Sequence, residues 1–301
     1  MGTPQPGVFA LGTRSHFHLE LDVRAGVGDG PLATALGVLH APSVSAGGLN
    51  LVVGFGATLW SRLAPRDVPR DLRPFQAVGD PAARHAPATQ HDLWVWLHGP
   101  GEDAVLDGAR RACAALEEVA TIACEVPSFV YRDGRDLTGF VDGTENPPVE
   151  GAFAVALVPE PGPDAGGSYA LVQQWRHDLR AFDALEVAEQ EGVIGRTKAD
   201  SIELADDIKP PTAHIARVVV EDDEGEELEI YRRSTPYGTV QVHGLQFVAF
   251  SADPDRFERM LARMFGVAGD GLHDRLTDFS TPVSGAYYFV PSLESLAALS
   301  A

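Results

Sequence analysis

Positive charge is scarce in this sequence. Lys and Arg number 23 against 43 Asp and Glu, giving a formal net charge of −20 over 301 residues. A surface of that sign repels a phosphate backbone, which argues against general nucleic-acid binding. The surplus acid reads as a solvated, solubilising shell. Cysteine is scarcer still: Cys113 and Cys124 are the two present, too few and too far apart for a zinc cluster or a disulfide framework. No run reaches about 18 unbroken apolar residues, so no helix is expected to span a membrane. The opening stretch, MGTPQPGVFALGTRSH, lacks the basic start and apolar run of a secretion signal. These absences point to a cytoplasmic location. What is present is an ordinary globular composition, with 45% hydrophobic residues, enough core for one large domain or two of about 150 residues each.

The chain repeats itself. HDLWVWLHGPGEDAVLDGARRAC begins at His91 and HGLQFVAFSADPDRFERMLARMF begins at His243, 152 positions later. Each reads as an alternating strand, an acidic turn and an amphipathic helix. HFHLELDV from His16 and SYALVQQW from Ser168 stand at the same offset and read as strands leading into helices. Those helices are GPLATALGVLHA and LRAFDALEVAEQEGV. The pattern predicts an α+β chain of two tandem ferredoxin-like halves, each a βαββαβ-type unit with an antiparallel sheet. Further strands are expected at GLNLVVGFG, IARVVVED, LEIYRRS and SGAYYFVP. The boundary falls in VPSFVYRDGRDLTGFVDGTENP, read as coil, so the halves are 1–135 and 136–301. Val193 to His214 is an irregular stretch longer than 20 residues, and connectors of that length are often functional.

Several residues are candidates for chemistry. In TGFVDGTENPP, from Thr138 to Pro148, Asp-Gly-Thr is ordinary turn chemistry. Alternatively, Gly139 and Gly143 let the backbone pass close to a flat ligand that Asp142 then faces. His214, in PPTAHIARVVV, is either a satisfied polar residue or a single metal ligand. No H-E-x-x-H spacing surrounds it, and the chain has no C-x-x-C-H for covalent haem. A lone axial His for noncovalent haem needs no second motif. Arg232, in LEIYRRSTPYG, is placed by a hairpin around EDDEGEE at the same open end as His214; the alternative is that it pairs with the nearby acids. His16 and His18 share a strand face and read as polar positions of an exposed side. Trp94 and Trp96 alternate in the same way and read as core.

Together these motifs resemble the dye-decolourising peroxidase family, in its bacterial B-type branch. The family's G-x-x-D-G stands here as Gly139 to Gly143, followed by TENP from Thr144. PQPGVFALGT, IGRTKADS, HIARV, RRSTPYG and PVSGAYYFVPS follow the branch's order along nearly the whole chain. The resemblance implies one noncovalent haem b per chain, mostly in the second half. It implies His214 as the proximal iron ligand and Asp142 and Arg232 as the distal pair. Arg196 would partner a haem propionate, Asp278 would hydrogen-bond the other nitrogen of His214, and Gly143, Thr144 and Glu145 would border the cofactor. Ser234 stands where many members carry Asn and would help to position peroxide. The implied activity is reduction of hydrogen peroxide through a ferryl intermediate, with oxidation of dyes, phenolics or other one-electron donors.

The alternatives are a haem-handling protein without peroxidase turnover, which needs His214 but not Arg232, and a cofactor-free binding module, which needs neither. A homo-oligomer, a dimer or larger, is expected from the family's habit. The end, FVPSLESLAALSA, carries no evident tail for packaging into a nanocompartment.

Overall fold

The structure, a computed structural model, describes residues 2–39 and 48–299. The first half runs β1 (Ser15–Val23), α1 (Asp29–Leu39), β2 (Asn50–Phe55) and α2 (Ala57–Leu63). A short pair follows, β3 (Val78–Gly79) and β4 (His85–Ala86), then β5 (Leu93–Gly99), α3 (Glu102–Leu116) and β6 (Ala120–Phe129). After an irregular linker and α4 (Val149–Ala156), the second half runs β7 (Ser168–His177), α5 (Leu179–Asp183), α6 (Val187–Ile194) and α7 (His214–Val218). It continues with β8 (Tyr231–Arg232), β9 (Thr235–Gly238), β10 (His243–Ser251), α8 (Asp255–Met264), a 3-10 turn (Arg275–Asp278), β11 (Ser280–Pro282), β12 (Ala286–Val290) and α9 (Leu293–Ala298). The residues expected to end the first helix, His40 and Ala41, lie outside the described residues.

The two long amphipathic helices follow from their sequences. In α3, Glu102 and Asp103 sit in the first turn, where carboxylates oppose the positive end of the helix dipole. Its Val105, Ala109, Ala112 and Leu116 are buried at helical spacing. In α8, Asp255 and Glu258 open the helix, Arg263 lies in its last turn, and Phe257, Met260, Leu261 and Met264 form the buried stripe.

The strands of the first half lie in the order β2-β5-β1-β6 and those of the second in the order β12-β7-β10-β9. All pairings are antiparallel. β12 meets β2 at Phe289 and Phe55, and β6 meets β9 at Ser128 and Tyr237. The sheet therefore closes into a barrel-like ring, which removes its open edges.

Closure buries both faces of β1 and β5. Leu19, Leu21, Val95 and Leu97 pack under the helices, whereas Trp94 and Trp96 belong to a second cluster with Phe250 and Tyr288. His16 and His18 are buried beside them, at 4% and 2% exposure, stacked on Trp96. The expectation that the two histidines lie on an exposed side is thus corrected: alternation marks a polar face, but here that face is enclosed. Burial holds both imidazoles well below their usual range, His16 at about 3.

Two expected strands differ. IARVVVED begins instead as helix α7. Ala213 takes an extended conformation before it, and the Arg217 N–H donates back to the Ala213 carbonyl at 3.1 Å. The turn is held by Arg217, which is buried and donates to the carbonyls of Arg263 and Leu272 and to Asp270. These tertiary bonds override the β preference of a Val-rich run. LEIYRRS keeps strand pairing over Tyr231 and Arg232, against β10. The boundary segment is also less irregular than expected, because Val126 to Phe129 belong to β6.

Candidate active site

A cavity open to solvent lies between one face of β7 and β10 and the helices α7 and α8. Alternate residues supply its apolar floor: Leu171 and Trp175 from β7, Leu245 and Phe247 from β10. Met264 of α8 and Ile215 of α7 close the far side. Four of the predicted residues, His214, Asp142, Arg232 and Arg196, line this one space, with Gly143, Thr144 and Glu145. Ser234 does not. It lines a neighbouring cavity, whose wall also includes Asp142, Gly143 and Arg232. Its hydroxyl accepts the Val248 N–H at 3.3 Å.

His214 is the first residue of α7, set there by the Pro210-Pro211 turn. Its Nδ1 lies 2.6 Å from Asp274 Oδ2, which corrects the expected partner: it is Asp274, not Asp278. The two acids stand at opposite ends of one 3-10 turn. Asp274 is the N-cap of that turn, fully buried, and its other carboxylate oxygen accepts the Leu276 N–H at 2.8 Å. Its backbone N–H donates to the Met264 carbonyl at the end of α8. Asp278, a turn later, faces away and accepts from Arg84 at 3.0 Å. With Nδ1 engaged, Nε2 is the imidazole nitrogen of His214 without a protein partner among the described residues. A carboxylate behind an imidazole fixes the tautomer and makes the ligand more basic.

The loop around Asp142 also lines this cavity. Gly139 and Gly143 have φ of +89° and +74°, a region that favours glycine. A Cβ at Gly139 would meet only the flexible end of Lys198, at 2.7 Å, so the turn rather than the packing requires glycine. Asn146 joins the loop to β8: its Nδ2 donates to the Arg232 carbonyl at 2.8 Å and its Oδ1 accepts the Arg232 N–H at 2.9 Å. This two-point clamp carries Asp142 and Arg232 together across 86 residues. Residue-level reading did not single out Asn146; the TENP motif was its one signal.

Burial pushes the Asp142 carboxyl above its usual range, opposed by the Arg232 charge and reinforced by Asp136. The Arg232 Nε is buried with no hydrogen-bond partner. A guanidinium left unpaired beside a carboxylate that resists ionisation is costly for stability, and is suited to an incoming ligand. Arg196 is differently placed. It bonds Glu145 and the Ser201 carbonyl and lies 3.3 Å from Glu203, while its Nε has no partner.

A flat apolar group fits this space. The lining is rich in apolar side chains, one imidazole nitrogen is open, and Arg196 and Arg232 each retain an unpaired Nε. Among the described residues, no group of three His, Cys, Asp or Glu side chains is arranged to hold a bare metal ion.

Comparison with known proteins decides the family. The model for the C-terminal part of Dyp-type peroxidases matches residues 133–295 and that for the N-terminal part matches residues 33–129. This chain belongs to the Dyp-type peroxidase family. A dye-decolorizing peroxidase of Rhodococcus erythropolis is 41% identical over 257 residues, 84% of this chain and 75% of the relative. Another, of Mycolicibacterium paratuberculosis, is 42% identical over 254 residues, 82% of this chain and 71% of the relative. Among solved structures, a DypB variant of Rhodococcus jostii in complex with heme superposes with a TM-score of 0.92 at 35% identity, covering 99% of this chain and 98% of that one. The Dyp-type chain described here is accordingly a peroxidase. No helix among its described residues is long and apolar enough to cross a membrane.

Proposed function

We propose that this Dyp-type peroxidase binds haem b in the His214 cavity, with His214 Nε2 on the iron and Asp142 and Arg232 facing hydrogen peroxide. The observation that carries this reading is the pairing of opposites across one apolar space. On one side stands an imidazole with its second nitrogen tied to a buried carboxylate; on the other stands a carboxylate–guanidinium pair with capacity to spare. Bound haem supplies the iron redox chemistry that peroxide reduction requires.

The protein's part is proton and charge management. Asp142, ionised, takes the proton from one peroxide oxygen and returns it to the other, which leaves as water. Arg232 steadies the negative charge that develops on the departing oxygen, preorganised because nothing else occupies its Nε. Ser234 lines the neighbouring cavity beside Asp142 and Arg232 and orients peroxide that approaches from there. Arg196 meets a propionate at the rim, while Gly143, Thr144 and Glu145 border the ring. Asp274 takes the role first given to Asp278, holding His214 in one tautomer. Dyes, phenolics or other donors then give up electrons one at a time.

Because burial raises the Asp142 pKa, activity falls off on the acid side above the ordinary Asp value of about 3.9. The strand orders of the two halves support two tandem ferredoxin-like units, 1–135 and 136–301. A cytoplasmic homo-oligomer completes the reading. The test is the visible spectrum of the purified protein supplied with haem. A Soret band that changes on adding peroxide and recovers with a donor dye is expected; a protein that never acquires a Soret band contradicts the proposal.

A further inference from the structure

Asp136, His177 and Ser280 form a hydrogen-bonded chain in the wall of the His214 cavity, and the chemistry above leaves it unused. Asp136 Oδ1 lies 3.0 Å from His177 Nε2, and His177 Nδ1 lies 2.8 Å from Ser280 Oγ. The second Asp136 oxygen accepts from the Thr138 N–H at 3.0 Å and the Thr138 hydroxyl at 2.7 Å. The side chains of His177 and Asp136 are 5% and 14% exposed, so water does little to weaken their fields.

The chain is also built into the loop that carries Asp142. The Asp136 N–H donates to the Phe140 carbonyl, and its carbonyl accepts from the Gly139 N–H. His177 ends β7 and Ser280 begins β11, and these two residues pair in register. One side chain thus ties the Asp142 loop to two strands of the sheet. A carboxylate near a second carboxylate opposes its ionisation, and a cation beside the first cancels part of that effect.

We propose that the Asp136–His177–Ser280 chain is a positioning device for Asp142, which fixes its loop and sets the pH at which it ionises. Other charges act on Asp142 too. Arg232 on β8 and His214 on α7 favour its ionised form. Glu145 on its own loop, Arg196, and Glu227 and Glu229 before β8 line the same cavity, and Arg135, His16 and Arg233 line the neighbouring one. The variants below leave all of these in place, so each isolates the buried chain. The catalytic meaning of the proposal rests on the role of Asp142 given above; its ionisation can be followed without turnover.

The experiment is an infrared pH titration of the haem-loaded protein, with the Asp142 carboxyl band assigned by its loss in Asp142→Asn. Asp136→Asn keeps the shape and removes the negative charge, so the Asp142 midpoint falls, by about half a pH unit or more, roughly a threefold loss of proton affinity. His177→Gln keeps a donor toward Asp136 but removes the ring that can carry the compensating charge, so the midpoint rises. Ser280→Ala removes a neutral partner and leaves it unchanged. A midpoint that stays fixed in the first two variants, or moves the same way in both, overturns the proposal. Should one variant fail to fold, the direction in the other decides. A slow peroxide reaction with unmoved midpoints would indicate a structural role alone, whereas moved midpoints with unaltered peroxide rates would count against the peroxidase role of Asp142 and not against this chain.

Discussion

The two walls of the cavity are held in opposite ways. On the His214 side the imidazole is backed by a chain of engaged groups. Nδ1 is bonded to Asp274, whose carboxylate and backbone are in turn bonded to Leu276, Thr277 and Met264. On the Asp142 side the backbone is fastened, by Asn146 and two glycine turns, but the chemical ends are left open. The Arg232 Nε has no partner and Asp142 is kept from ionising easily. A ligand supported from behind suits the proposed grip on a cofactor; unsatisfied groups, kept at some cost in stability, suit the proposed action on a substrate.

The comparison is broken most severely from the gripping side. His214→Ala should abolish haem retention, because the residue that would hold the iron is lost together with its support; purified variant and parent are compared by Soret absorbance per chain. Asp274→Asn should keep haem but raise the iron midpoint potential, since a less basic imidazole stabilises ferric iron less. Asp278→Asn, whose carboxylate faces Arg84, should leave the potential unchanged. Spectroelectrochemical titration of the pair sharpens the assignment, and equal shifts would contradict it.

From the open side the effects on stability are smaller. Asn146→Ala strands the backbone N–H and carbonyl of Arg232 and should cost about 1–3 kcal/mol, read by denaturant unfolding with haem still bound. Asp142→Asn should do the reverse and stabilise the protein at neutral pH. The Asp142 pKa is raised in the folded state, so the folded form binds its proton more tightly than the unfolded chain. The associated stability is complete below the unfolded value, about 3.9, and is lost as pH rises through the folded value. Replacing the carboxyl removes that loss, and the gain in melting temperature should disappear in acid.

Much of this was legible in the sequence, for identifiable reasons. β1, β5, β7 and β10 are rich in strand-forming apolar residues, and the 152-residue offset puts them in equivalent places. The Gly139 to Gly143 motif needs its glycines for local backbone reasons, so it survives as a signal. What escaped depends on contacts distant in sequence. The run after His214 favours strand locally and becomes helix because Arg217 is buried against residues 46 and more positions away. His16 and His18 look solvent-facing until ring closure covers that face. Asp274 and Asp278 are four residues apart in one short segment, and only the turn between them decides which reaches His214. Asp136 and His177 meet across 41 residues, with no pattern in either segment to announce it.

The central claim is that the cavity grips with His214 and reacts with Asp142 and Arg232. Stopped-flow mixing of haem-loaded Arg232→Leu and Asp142→Ala with hydrogen peroxide tests it most directly. Both variants should retain a parent-like Soret band at rest. The peroxide-induced Soret change should slow by about 10²–10³ in the first and about 10²–10⁴ in the second. Parent rates in both variants, with haem intact, would contradict the account.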